Sequence, residues 1–143
     1  MHAMQPRYKF VIGLSANCKV ERRLVDTVLE RYGCHVEILF LHVVVLPVGY
    51  LVLLDGQIET VKRAFEKHIA PTLQEHDIPH QVQFRPASNS MWLRQPPSVL
   101  ISHALCSEAS AWVADAVVVG GSGRQNRVRA ALVKACNANS RRR

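Results

Sequence analysis

Gly120, Gly121, Ser122 and Gly123 follow directly on the apolar run at 116–119 and precede a basic segment that opens with Arg124 and Arg127. Glycines let a backbone approach a ligand closely, and amides at a helix N-terminus favour anions. A strand, glycine turn and helix in that order can therefore cradle a phosphate. Ser122 adds a hydroxyl donor, and Arg124, Arg127 and Lys134 carry charge that can pair phosphates. The turn is not a Walker A loop, because no Gly-Lys-Ser/Thr follows it. The plainer reading is a strand-to-helix turn that needs flexible backbone, with the basic residues on a solvated helix face.

A second turn of interest follows the first apolar run, where Gly13 and Ser15 stand. Ser15 can donate to a phosphate or cap the first helix, and capping is the default for a serine after a strand. His42 sits in a Val-rich run and reads as a satisfied core histidine before it reads as a proton carrier. Asp26, Asp55 and Asp115 are scattered, and no nucleophile, base and orienting group can be placed together, so no enzyme is expected. Cys18, Cys34, Cys106 and Cys136 show no CxxC pair and no Cys/His cluster at zinc-ligand spacing. They read as reduced, mostly buried thiols of an intracellular, cytoplasmic protein.

The elements that must position these residues alternate regularly. Residues 8–14 are a short apolar strand ending at Gly13. Val20, Leu24, Val25, Val28 and Leu29 share one helical face, and Gly33 stops that helix. Residues 35–45 are apolar almost throughout, as in a strand buried on both faces of a parallel sheet. An apolar segment at 46–56 has no clear assignment. Ile58, Val61, Phe65, Ile69 and Leu73 predict one long helix over 57–75, kinked at Pro71. A third strand at 80–87, a helix from Pro97 with its face on Val99, Leu100, Ile101, Ala104 and Leu105, a strand at 115–120 and a helix over 126–135 complete the series. This order predicts a doubly wound α/β fold: a mostly parallel sheet of four strands with helices on both faces. Ligands of such sheets bind beyond the carboxyl ends of the strands, where the strand order reverses.

The same elements resemble the universal stress protein family, over roughly residues 8–135. The most specific stretch is VADAVVVGGSG at 113–123, where Ala114-Asp115, the apolar run and the Gly-x-x-Gly of Gly120 and Gly123 stand at the family's places. Leu41-His42-Val43 matches the usual end of its second strand, and FVIGLS at 10–15 matches its first strand and following Ser. The resemblance implies a HUP/Rossmann-like sheet, of five strands in the family, and a site for ATP or AMP, with Mg left open. It places Gly13, Ser15, Val43, Gly120, Gly121, Ser122, Gly123, Arg124 and Arg127 at that site, with Val43 lining the adenine pocket. Two family features are missing. Gly13 holds the place of an Asp, and Val133 and Lys134 stand where a second Gly-Ser/Thr belongs. No apolar strand follows Cys136.

Composition narrows the function classes. The chain of 143 residues is 48% hydrophobic and 20% charged, which suits one folded domain, expected over 1–136 with a basic tail at 137–143. The net charge of +7 equals the seven Lys/Arg from Arg124 onward, so the rest of the chain is balanced. Nucleic-acid binding, which needs a basic face on the fold, is therefore disfavoured. The uncharged run at 38–54 approaches a membrane span in length, but Pro47 and Gly49 break it and its first half reads as a strand. The start of the chain lacks the apolar core of a signal peptide. The expectation is a non-enzymatic regulatory or binding protein with a degenerate adenine-nucleotide site, acting as a homodimer and not at a membrane. The alternative is a dimerising interaction module with no small ligand.

Overall fold

The computed structural model of the chain describes residues 7–15, 18–46, 54–88 and 96–119. Its elements run β1 (Tyr8–Gly13), α1 (Lys19–Tyr32), β2 (Val36–Leu46), α2 (Leu54–His68), α3 (Ala70–Glu75), β3 (His80–Ser88), α4 (Pro97–Trp112) and β4 (Ala116–Val118). The four strands form one sheet in the order β3-β2-β1-β4. Every pairing is parallel, with Phe10 opposite Ile38 on one side of β1 and opposite Ala116 on the other.

Alternation along β1 and β2 divides the core in two. Phe10, Ile12, Ile38 and Phe40 project to one face, where they meet Val25 and Val28 of α1, Val61 and Phe65 of α2, and Leu73 of α3. Val11, Leu39, Leu41 and Val43 project to the other, against Ala104, Leu105 and Cys106 of α4. Helices thus cover both faces, and this is why β1 and β2 carry apolar residues at consecutive positions.

The predicted helix over 57–75 is two helices. Its first part starts earlier, at Leu54, and the break falls at Ile69 rather than Pro71. Pro71 lacks an N–H and its ring excludes the carbonyl four residues back, so the chain restarts with proline in the first turn of α3. On α4 the buried positions are Ser102, Ala104, Leu105 and Cys106, while Val99, Leu100 and Ile101 are only half-buried. Ser102 is tolerated there because its hydroxyl donates to the Ser98 carbonyl at 2.6 Å. The first half of the long apolar run is β2, and no helix among the described residues is long and apolar enough to cross a membrane. Cys18 and Cys34 are free thiols, Cys34 exposed. Cys106 is disulfide-bonded, so the expectation of four reduced thiols fails at this position. Cys136 and the segments at 120–123 and 126–135 lie outside the described residues.

Candidate functional site

The strand order reverses at β1: the chain moves from β1 out to β2 and β3, then returns to place β4 on the opposite side. A crevice forms at such a point, beyond the carboxyl ends of the two strands on either side of it. Here those ends are Gly13 of β1 and Val118 of β4, and Leu14 and Ser15 follow β1 on this side.

Gly13 sits at the mouth of this crevice, but a side chain there would not enter it freely. A Cβ on Gly13 would lie 3.3 Å from Leu105 Cδ1 and 3.6 Å from Val119 Cγ1. Leu105 is fully buried on α4, so a side chain at Gly13 would need the end of Leu105 to give way by a few tenths of an ångström.

The next residues are tied down at three points. Leu14 N–H donates to the Leu41 carbonyl at 2.8 Å, extending the β1–β2 ladder by one step. His42 Nδ1 is 2.8 Å from the Leu14 carbonyl, so that nitrogen carries the proton, and its ring stands edge-on to Phe84. His42 is thus a satisfied structural histidine that fastens β2 to the turn. Ser15 is held by Glu21: its N–H donates to Oε1 and its hydroxyl to Oε2, both at 2.9 Å.

Ser15 does not cap α1, contrary to expectation. The helix begins at Lys19, its N-cap is Cys18 in a left-handed conformation (φ 59°), and no side chain caps it. Cys18 instead turns its buried thiol back to the Ser15 carbonyl at 3.6 Å. Burial, helped by the neighbouring Glu21 carboxylate, pushes that thiol up to about 12 from its ordinary 9.0, which makes it inert as a nucleophile. Glu21 is the residue of this arrangement that sequence reasoning missed. It is only 1% exposed, in the first turn of α1, and does the work of a capping-box glutamate across a longer span. Ser-x5-Glu is not a recognised capping spacing, so only a buried position for Glu21 on the helical wheel would have signalled it.

Val43 lies near the end of β2, opposite Arg85 of β3, and is buried in the α4-side core. The structure therefore brings Gly13 and Ser15 together at the β1 end and places Val43 one strand away. Gly120, Gly121, Ser122, Gly123, Arg124 and Arg127 lie outside the described residues. Asp115 sits at the start of β4, at the far end of the sheet from the crevice. Its carboxylate accepts from Lys9 N–H at 2.8 Å, and its own N–H donates to the Lys9 carbonyl at the same distance. It anchors β4 and takes no part in the crevice. Among the described residues no group of His, Cys, Asp and Glu could hold a metal ion. A separate open cavity of about 690 Å³ lies between β3 and α4, lined by Arg85, Ala87, His103, Ser107 and Ser110 among others. Arg85 is paired there with Glu108 at 3.0 Å.

No protein-family model matches the chain, and no curated protein matches it. Solved structures do. A universal stress protein family member from Burkholderia pseudomallei superposes with a TM-score of 0.64 at 14% identity, over 92% of each chain. A universal stress protein family protein from Arabidopsis thaliana, solved with AMP bound, gives 0.57 at 17% identity, over 90% of this chain and 86% of its own. The universal stress protein from Archaeoglobus fulgidus gives 0.55 at 16% identity, over 90% and 87%. The chain therefore has a universal stress protein-like fold: a parallel α/β, Rossmann-like sheet with helices on both faces.

Proposed function

We propose that this chain is a divergent universal stress protein: a non-enzymatic, cytoplasmic binding protein that takes an adenine ligand in the crevice between β1 and β4. The observation that carries this reading is the strand order β3-β2-β1-β4, whose reversal falls at Gly13 and Val118. In open α/β sheets that is where ligands bind. The bound AMP of the Arabidopsis neighbour supports adenine as the ligand class. The glycine-rich stretch at 120–123, which follows the β4 segment in the sequence, supplies the residue types for close approach. The absence of a carboxylate at Gly13 favours a weak site that does not depend on Mg. Calorimetric titration with AMP tests this: a dissociation constant in the micromolar range or weaker is expected. Sub-micromolar affinity would refute the degenerate site, and no heat with any adenine compound would refute the ligand.

Self-association is a second reading, favoured by one observation. β4 is only three residues long, is half-buried throughout and ends the sheet among the described residues. An edge strand presents unpaired backbone N–H and C=O groups that a second chain can take up. A dimer in light scattering supports this reading, and a monomer at high concentration contradicts it.

A further inference from the structure

From the geometry of the β1–α1 turn we infer that Glu21 acts as a built-in anion, which makes the crevice select an uncharged adenosine-type ligand over its phosphorylated forms. This rests on the adenine reading above and deepens it. The turn offers two donors just past the end of β1, the N–H and the hydroxyl of Ser15. Each is bound to a different oxygen of the same carboxylate, at 2.9 Å. Glu21 lies in the first turn of α1, where the free amides and the helix dipole favour a negative group. In phosphate-binding α/β proteins that place is filled by the ligand. Here the chain fills it with its own side chain.

The burial of Glu21 gives this arrangement its force. At 1% exposure the carboxylate is poorly screened and cannot swing into solvent without opening the turn. Cys18 registers the same field, since Glu21 helps to raise its thiol. A phosphate approaching Ser15 would have to displace a carboxylate from both donors or settle beside it, and like charges at that range repel. Lys19, the first residue of the helix, is exposed, so its charge is screened by solvent. Adenosine has no charge to be repelled.

The test compares adenosine, AMP and ATP by calorimetry on the full chain and on Glu21→Gln, which removes the charge at equal size: the amide oxygen can still accept from the Ser15 N–H, and the amide nitrogen donates to the Ser15 hydroxyl, which turns to accept. The native chain is expected to bind adenosine at least about tenfold more tightly than AMP, and ATP more weakly still. ATP bound more tightly than adenosine overturns the inference and leaves the adenine reading standing. No binding of any of the three to either protein removes both. Glu21→Gln is expected to tighten AMP and ATP by about tenfold while moving adenosine by less than about threefold. An unchanged ratio of AMP to adenosine affinity in a folded Glu21→Gln overturns the inference. If that variant does not fold, the native order of affinities decides the matter alone.

Discussion

At the scale of single residues, the crevice wall is shaped by substitutions that look conservative only in sequence. Gly13 stands where the family resemblance calls for Asp, and a Cβ there would press on buried Leu105 at 3.3 Å. Restoring the family residue would therefore not restore the family site. Gly13→Asp is expected to lower unfolding stability by about 1–3 kcal/mol through overpacking against buried Leu105, with no gain in AMP affinity. Urea unfolding and titration would measure both, and a stable, tighter-binding variant would contradict the packing argument. Cys18 makes a prediction in pH. Its folded thiol is raised to about 12 while an unfolded thiol sits near 9.0, so the folded state keeps a proton that the unfolded state loses. The corresponding stability is complete below pH 9 and is lost as pH rises towards about 12. Against Cys18→Ala, the native chain should lose stability more steeply across that window. Parallel pH profiles would show instead that the thiol is not protected.

At the scale of elements, the C-terminal end of α4 shows how the chain reverses direction at a cost. Its C-cap, Val113, is left-handed (φ 57°, ψ 51°) and 75% exposed. A β-branched residue is strained in that region, where glycine and asparagine are at ease. Val113→Gly is expected to raise stability by about 1 kcal/mol, read from denaturant midpoints at unchanged slope. Destabilisation would mean that Val113 holds an apolar contact worth more than the strain. Such positions also explain what the sequence could and could not reveal. The strands were legible because β1 and β2 are buried on both faces, leaving apolar runs with no alternation. The end of α1 was legible because Gly33 takes a positive φ that few other residues accept. The break at Ile69 was misplaced by two residues because proline marks the start of the following helix, not the end of the preceding one. The place of Gly13 and Ser15 at the end of β1 was legible from the apolar run before them. The Ser15–Glu21 pairing was not, because Ser15 reads as a cap for the first helix and a glutamate six residues on matches no capping spacing.

At the scale of the whole molecule, the sheet order explains why the candidate crevice is where it is. α1, α2 and α3 pack on one face and α4 on the other, so the chain changes faces between β3 and β4. The change opens the sheet top at β1 and β4, while the cavity beside Arg85 and His103 lies away from it, over the edge strand. The surplus charge belongs to the segment from Arg124 onward, not to the described body of the fold. The central claim is that an adenine ligand enters at β1 and β4, and amide chemical-shift mapping with adenosine tests it most directly. The account predicts that the perturbed amides of the described fold cluster at Gly13, Leu14, Ser15 and Val118. Shifts centred on Arg85, His103 and Ser107, or none at saturating adenosine, would contradict it.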